Sequence, residues 1–551
     1  MTGLRANNVC IVRMLCKWTA CILALLAVTS RGVPHDIVIK SGLIYDGSPA
    51  PAHVGDVAIE NGRIVATGQI ESDADRIIDA DGLIVAPGFI DIHTHATFSE
   101  AQIDSENTAE IQSLPRRRPA RNYLYQGVTT VVSGNCGDGT FHVARTFHDI
   151  ETHGAGVNVM LLVGHAVLRE AVMGMADTEA SAARIASMKR LLRQAMREGA
   201  VGMSTGLYYA PGNYAATDEI VELAGVVSEY DGIYATHMRD EGARLLEAIQ
   251  EAIHIGRTAD VPVQISHLKV FGRHEPDMAA KATALIEKAR REGVEVFADQ
   301  YPYLAGSTKL ASLITQPWVR AGGPHMMLER LRDPSLRTKI RRQATELIHQ
   351  LGGPEAFVIA YFHQRPGWNG SNLKQIARHL RMGTTAAALD ILRIGNPQMV
   401  VFAMNERDLR HFMTRSYVMT ASDSWNPPYK VGLYHPRNYG TFARKIRRYV
   451  IEEQVIGMAR AIHAATALPA GMLGISDRGR IQPGFAADIV VFDPKRIAAP
   501  ATYENPHEYC QGIEYVLING GLAIDNGEYT GLMAGRPLRH SGRQSQSVSS
   551  R

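Results

Sequence analysis

The stretch LIVAPGFIDIHTH, residues 83–95, is a run of apolar and β-branched residues that ends in two histidines. Such a run predicts a strand buried on both faces, because a strand with one wet face would alternate apolar and polar residues. His93 and His95 are two residues apart, so their imidazoles project from the same face of the strand. The stretch therefore predicts a buried strand that presents two imidazoles at its end.

Seven later segments repeat this organisation of a short apolar run followed by a turn or a polar residue. They are TTVVSGN (129–135), VNVMLLVGH (157–165), AVGMSTGLY (200–208), GIYATH (232–237), PVQISH (262–267), VEVFADQY (294–301) and YVMTASD (417–423). Helical patterns lie between several of them, for instance over residues 179–198 and 241–256. Eight such units are what a (β/α)8 barrel requires, so we predict an α/β protein with a TIM-like barrel. A doubly wound α/β sheet is the alternative.

The two ends of the chain have a different sequence pattern, which predicts short strands of alternating polarity joined by Gly or Asp-Gly turns. We expect residues 35–87 and 480–537 to form one discontinuous β-sandwich domain beside a barrel of residues 88–479. The seventh and eighth barrel strands are far apart in sequence, which predicts an insertion at about residues 308–415 near the barrel mouth.

The composition is that of an ordinary globular protein, with 45% hydrophobic and 21% charged residues. A net charge of +3 gives no reason to expect a nucleic-acid surface. Arg5, Arg13 and Lys17 precede the apolar run TACILALLAV, which predicts a signal peptide over residues 1–30 and export to the periplasm or beyond. We expect no stable membrane association after cleavage, and a cytoplasmic location if the leader does not function. The Ser-, Arg- and Gln-rich tail, residues 538–551, is predicted to be disordered.

Only two of the five cysteines, Cys136 and Cys510, lie outside the predicted leader. Two distant cysteines in a chain of this size do not make a disulfide scaffold. Cys136 lies in VVSGNCGDG, residues 131–139, where a strand runs into a glycine-framed turn. Its thiol could be a buried filler, half of a disulfide, a nucleophile or a metal ligand.

Metal-binding residue types end five of the eight predicted strands. Active sites of such barrels form at the carboxyl ends of the strands, so these side chains should meet there. Imidazole, thiolate and carboxylate are ligands that zinc prefers. The set therefore predicts a metal site at the barrel mouth, and its members are His93, His95, Cys136, His237, His267 and Asp423.

These motifs resemble those of the amidohydrolase superfamily, and more closely those of the D-aminoacylases, which are N-acyl-D-amino-acid deacylases. The matching stretches are PGFIDIHTH, GNCG, STGLYYAPG, THMRDEG, QISHLK, YPYLAGST, ASDSW, HPRNYGTF and GRIQPGFAADIVVFDP, within about residues 35–539. The resemblance implies hydrolysis of the amide bond of N-acyl-D-amino acids to a D-amino acid and a carboxylate. A cyclic-amide hydrolase of the hydantoinase or dihydroorotase type and a non-catalytic barrel are the alternatives.

The resemblance also implies a ligand set. One tightly bound Zn²⁺ would be held by Cys136, His237 and His267, while His93, His95 and Asp423 would line an adjacent position where a second, weaker metal is possible. Many binuclear amidohydrolases bridge their metals with a carboxylated lysine on the fourth strand. No lysine occurs between residues 189 and 269 of this chain, so that strand cannot supply one. Cys136 lies where the D-aminoacylase cysteine is expected.

Asp423 is expected to act as the general base and then the general acid, because an amine leaves a tetrahedral intermediate poorly unless it is protonated. The substrate that the resemblance implies is a small molecule with a free α-carboxylate. Arginine suits a carboxylate, so Arg437 is the main candidate to bind it. The resemblance adds Lys269, Tyr301 and Ser307 as further carboxylate ligands. The preferred side chain, the number of metals and the oligomeric state stay open.

Overall fold

The computed structural model describes residues 35–103 and 108–542. In these residues the strands are β1 (His35–Ile44), β2 (His53–Glu60), β3 (Arg63–Gly68), β4 (Ala74–Asp79), β5 (Ile84–Pro87), β6 (Phe89–Asp91), β7 (Val128–Ser133), β8 (Asn158–Gly164), β9 (Gly202–Gly206), β10 (Ile233–His237), β11 (Val263–Ile265), β12 (Val296–Gln300), β13 (Gly306–Lys309), β14 (Phe357–Tyr361), β15 (Gln398–Val401), β16 (Val418–Thr420), β17 (Ile489–Phe492), β18 (Ile513–Ile518), β19 (Gly521–Asp525) and β20 (Glu528–Tyr529). The α-helices are Thr108–Arg117, Arg121–Leu124, Val143–His153, His165–Met173, Ala182–Arg197, Thr217–Ser228, Leu245–Ala259, Met278–Arg291, Leu310–Ile314, Pro317–Arg320, Gly323–Arg332, Arg337–Gln350, Leu373–His379, Thr384–Ile394, Glu406–Met413, Arg437–Arg444, Met458–His463 and Ala467–Met472. Short 3₁₀ turns span Glu100–Gln102, Gly212–Tyr214 and Pro366–Trp368, and a π-helix spans Lys445–Glu452.

Eight parallel strands form the barrel, in the sheet order β16-β12-β11-β10-β9-β8-β7-β6. A parallel bridge between Thr94 and Ser424 brings the first and last strands together, and Asp423 N donates to His93 O at 2.9 Å. Seven of the eight strands fall within the segments predicted from the sequence and β7 begins one residue earlier, so the (β/α)8 prediction is confirmed. The first segment, residues 83–95, is divided between two sheets, because β5 joins the nine-stranded sheet and only β6 belongs to the barrel.

The barrel helices present apolar stripes to the strands. In helix Leu245–Ala259 the buried residues recur at intervals of three and four, as an amphipathic helix requires. They include Leu245, Ala248, Ile249, Ala252, Ile253 and Gly256. Gly256 allows the closest approach, since a Cβ built on it would lie 2.3 Å from a methyl of Val263 in β11.

The two ends of the chain meet in one nine-stranded sheet beside the barrel. The join is the antiparallel pair β5–β17, in which Val85 lies opposite Val491. Side chains from both ends share a hydrophobic core that includes Ile39, Val57 and Leu517. Strands from the two ends of the chain therefore pack as one unit.

Between β12 and β16 the chain forms a separate layer with its own core. Its three-stranded sheet has the order β13-β15-β14, and helices from Leu310–Ile314 to Thr384–Ile394 share its hydrophobic core. Phe271, which follows barrel strand β11, packs against this core. The contact places the inserted layer over the carboxyl end of the barrel.

The predicted tail is ordered at its start. Leu538 N donates to Val159 O at 2.9 Å, and His540 N donates to Gly199 O at 3.0 Å. The prediction of disorder is therefore wrong for residues 538–542, while 543–551 and the predicted leader, 1–30, lie outside the described residues. None of the helices within 35–103 and 108–542 combines the length and apolar character needed to cross a membrane.

Candidate active site

Three side chains from three strand ends converge at the barrel mouth. His237 ends β10, while Cys136 and His267 follow β7 and β11. His267 Nε2 lies 2.9 Å from His237 Nδ1 and 3.8 Å from Cys136 Sγ. All three residues are buried, with at most 8% of their surface exposed. The sequence predicted this set as the tight zinc site, and the structure brings it together.

The donor set fits a zinc ion. Bonds of about 2.0–2.3 Å to nitrogen and sulfur place the donors of a zinc tetrahedron about 3.3–3.6 Å apart, close to the separations found here. Burial would raise the pKa of Cys136, but His93, His237 and His267 outweigh it and hold that pKa well below its usual value. The thiol is therefore poised as a thiolate, the form that binds a metal.

A second group of donors shares Cys136 with the first. His93 Nε2 lies 3.4 Å from Cys136 Sγ and 3.5 Å from an oxygen of Asp423. His95 Nε2 lies 3.2 Å from the same Asp423 oxygen. His93, His95 and Asp423 thus line a position next to the first, where the sequence predicted a weaker metal.

Three of these residues have strained backbones. Cys136, His267 and Asp423 have φ values of 56°, 37° and 50°, in the left-handed region that L-residues rarely adopt. The loop around Cys136 depends on Gly134, where φ is 88° and an added Cβ would lie 2.2 Å from Leu162 O. These turns direct side chains from the strand ends into the site, so the strain coincides with the donor cluster.

Arg437 forms an ion pair with Asp423 at 2.7 Å. Burial would raise the pKa of Asp423, but Arg437 and then His93 outweigh it and hold that pKa well below its usual value. The guanidinium also lies over the Tyr301 ring, 4.7 Å from its centroid. Its buried Nε has no hydrogen-bond partner among the described residues. Arg437 can therefore hold Asp423 and still offer a donor to a second anion.

One cavity of about 190 Å³ opens onto these groups. Its lining includes all four predicted carboxylate ligands and several of the metal-site residues, namely Arg437, Lys269, Tyr301, Ser307, His237, His267 and Asp423. The same cavity is also lined by apolar side chains, several of them from the inserted layer. They include Phe271, Leu313, Leu347 and Leu351, and Arg273 lines the cavity with them.

The model of the amidohydrolase family matches residues 76–313 and 415–523 of this chain. The matched ranges hold the barrel and every donor described above, and leave out most of the inserted layer. A D-aminoacylase of Alcaligenes xylosoxydans xylosoxydans is 33% identical over 533 residues, which are 92% of this chain and 98% of the relative. The chain belongs to the D-aminoacylase branch of the amidohydrolase family.

Solved structures give the same relationship. An N-acyl-D-glutamate deacylase of Bordetella bronchiseptica, complexed with zinc and a phosphonate that mimics the tetrahedral intermediate, superposes with a TM-score of 0.77. It is 30% identical, and the match covers 93% of this amidohydrolase and all of the relative. A D-aminoacylase studied for its binuclear metal centre, with one-metal activation and second-metal attenuation, has the same TM-score at 32% identity, over 92% of this chain and all of that one.

Two carboxylates of this amidohydrolase contact ring nitrogens of the site histidines. Asp299 lies 3.2 Å from His93 Nδ1 and accepts hydrogen bonds from His267 N at 2.8 Å and Gln264 Nε2 at 2.6 Å. Glu241 contacts ring nitrogens of His237 and His267 and pairs with Lys269 Nζ at 2.5 Å. The sequence marked Asp299 only as a strand end and did not single out Glu241, although its spacing of four from His237 was visible.

The residues predicted to bind the substrate carboxylate differ in whether their polar atoms already have partners. Tyr301 has its hydroxyl 3.9 Å from Met404 Sδ. Ser307 Oγ donates to Met399 O at 2.9 Å. Lys269 is neutralised by Glu241. Of the predicted groups, Arg437 therefore has the clearest unused donor.

Proposed function

We propose that this amidohydrolase uses zinc to hydrolyse N-acyl-D-amino acids to a D-amino acid and a carboxylate. The observation that carries the proposal is a single cavity shared by the zinc-type donors, the Asp423 carboxylate and an arginine with an unused buried donor. Relatives of this chain act on N-acyl-D-amino acids according to their names, including an N-acyl-D-aspartate deacylase at 33% identity. The relatives' names support a linear amide as the substrate, and the arginine beside Asp423 supports one that carries a carboxylate.

Cys136, His237 and His267 would hold the zinc, which when bound lowers the pKa of a coordinated water and polarises the amide carbonyl. Asp423 lies beside this position and is kept ionised by Arg437, so it can accept a proton from the attacking water. It can then deliver that proton to the amide nitrogen as the C–N bond breaks. His95, 3.2 Å from Asp423, holds the carboxylate in place.

The substrate carboxylate is assigned to Arg437, helped by Lys269, Tyr301 and Ser307. Arg437 is only 4% exposed, so a charge-assisted bond there forms away from water. Because Arg437 lies 2.7 Å from Asp423, a substrate held in this way would have its amide close to that carboxylate.

The cavity favours a neutral, apolar D-side chain. Leu313, Leu347 and Leu351 line it together with Phe271. Lys269 and Arg437 are assigned to the α-carboxylate, so they are not left to bind an acidic side chain. We therefore expect D-leucine or D-methionine derivatives to be better substrates than D-aspartate or D-glutamate derivatives.

Export by the leader of residues 1–30 is also part of the proposal. Its support is the order of charged, apolar and small residues there. Cell fractionation with an antibody to the folded enzyme tests it, and retention of the full-length chain in the cytoplasm would contradict it.

The activity test uses purified enzyme loaded with zinc and both enantiomers of N-acetylmethionine. We expect D-methionine to be released and the L-enantiomer to be left intact. Equal turnover of the two enantiomers would contradict the proposal. Turnover of hydantoins alone would favour the cyclic-amide alternative.

A further inference from the structure

Glu241 is a buried carboxylate between both candidate zinc histidines and a cation. It lies in the loop after β10, and its backbone oxygen accepts a hydrogen bond from Phe271 N at 2.8 Å. Its Oε1 lies 2.9 Å from His267 Nδ1 and 2.5 Å from Lys269 Nζ. Its Oε2 lies 3.5 Å from His237 Nε2. One carboxylate thus faces three groups of the site.

The contacts decide which nitrogen of His267 carries the proton. His267 Nδ1 lies 3.0 Å from Lys269 Nζ as well as 2.9 Å from Glu241. If Nδ1 accepted a hydrogen bond from the ammonium, the proton of the neutral ring would be on Nε2, and that nitrogen could not bind a metal. With Glu241 present, both Nδ1–H and the ammonium donate to the carboxylate, which leaves the Nε2 lone pair facing Cys136.

The same carboxylate orients His237. The Nε2 of His237 has no hydrogen-bond partner among the described residues. The carboxylate oxygen that faces it is Glu241 Oε2, at 3.5 Å. A proton on Nε2 leaves Nδ1 unprotonated, and that atom lies 2.9 Å from His267 Nε2. Glu241 therefore favours the tautomer of each ring that points a lone pair toward the other.

We propose that Glu241 is a positioning residue that sets the tautomers of His237 and His267 and at the same time holds Lys269 at the substrate carboxylate. The inference rests on the proposed function, because it assigns Glu241 to the zinc position and the carboxylate site of that reaction. It predicts that one substitution weakens both zinc binding and carboxylate recognition.

The test is Glu241→Gln, which keeps the shape of the side chain and removes its charge. Competition with a chelator should show zinc affinity falling 10- to 100-fold, as for the loss of other carboxylates behind metal-bound histidines. At saturating zinc, KM should rise for N-acetyl-D-methionine more than for its amide, which lacks the carboxylate. Asp240→Asn is the matched control, because Asp240 caps the same loop at Gly242 N and Arg244 N through an oxygen that asparagine keeps.

Zinc affinity within threefold of the wild type, with an unchanged KM ratio, would overturn the inference. If Glu241→Gln does not fold, Glu241→Asp is measured instead, and its shorter carboxylate should still weaken zinc binding relative to Asp240→Asn. Equal zinc affinity in Glu241→Asp and the control would equally overturn it. Failure of the wild-type enzyme to bind zinc would instead remove the proposed function itself.

Discussion

Arg437→Met should separate substrates that carry a free α-carboxylate from those that do not. Arg437 donates to Asp423 at 2.7 Å, while its buried Nε is unpaired among the described residues. A substrate carboxylate that reaches this donor gains one charge-assisted hydrogen bond, worth about 1.5–3 kcal/mol. Because about 1.4 kcal/mol corresponds to a factor of ten, its loss should cost roughly 10- to 150-fold in kcat/KM.

The assay compares N-acetyl-D-methionine with N-acetyl-D-methionine amide. Both substrates depend on Asp423, so any damage to that residue lowers both values of kcat/KM and cancels in their ratio. We expect the ratio of acid to amide to fall by the full 10- to 150-fold in Arg437→Met.

Arg444→Met is the matched control for this measurement. Arg444 lies over the Tyr303 ring at 4.8 Å, much as Arg437 lies over Tyr301 at 4.7 Å, but its Nε donates to Pro302 O. Its ratio should equal that of the wild type. An unchanged ratio in Arg437→Met would refute the assignment of the carboxylate site.

Three further outcomes are expected. Cys136→Ala should bind zinc at least 100-fold more weakly by chelator competition, because it removes the only thiolate of the donor set, and undiminished binding would make the thiol a buried filler. In a substrate panel, kcat/KM for N-acetyl-D-leucine should exceed that for N-acetyl-D-aspartate by more than tenfold, and the reverse order would contradict the apolar assignment of the cavity. Burial, and then Arg460, lower the pKa of Lys445 to about 7, and its ammonium donates to Thr420 Oγ1. A lysine whose pKa is lowered on folding destabilises the protein below that pKa, and this cost disappears as pH rises toward the pKa of the unfolded chain. Urea unfolding should therefore show that Lys445→Met raises the free energy of unfolding by about 1–3 kcal/mol at pH 6 and by less at pH 9. No increase at pH 6 would contradict this prediction.

The barrel and its donor residues could be predicted because they leave local signals. A parallel strand buried on both faces is a continuous apolar run, and the chain ends several of these runs with a histidine, a cysteine or an aspartate. His93, Cys136, His237 and His267 are therefore visible without a structure. The pairing of the two chain ends in one sheet could likewise be expected, because both ends have the same pattern of short strands and glycine turns.

The buried residues that contact these donors could not be predicted in the same way. Glu241 lies in THMRDEG among charged residues, a pattern that also describes an exposed loop, and only the fold turns it inward. The pairing of Arg437 with Asp423 depends on how a helix after the last strand packs back on the mouth. Left-handed backbone at Cys136 and Asp423 is also invisible, because sequence signals for that conformation come mainly from glycine and asparagine.

The most direct test of the account is turnover of N-acetyl-D-methionine per bound zinc in the wild-type enzyme and in Asp423→Asn. The variant keeps Cys136, His237 and His267, so it should retain zinc while its turnover falls about 10²- to 10⁴-fold, the usual contribution of a general acid–base group. Turnover within tenfold of the wild type, with zinc retained, would show that Asp423 does not transfer the proton and would contradict the account.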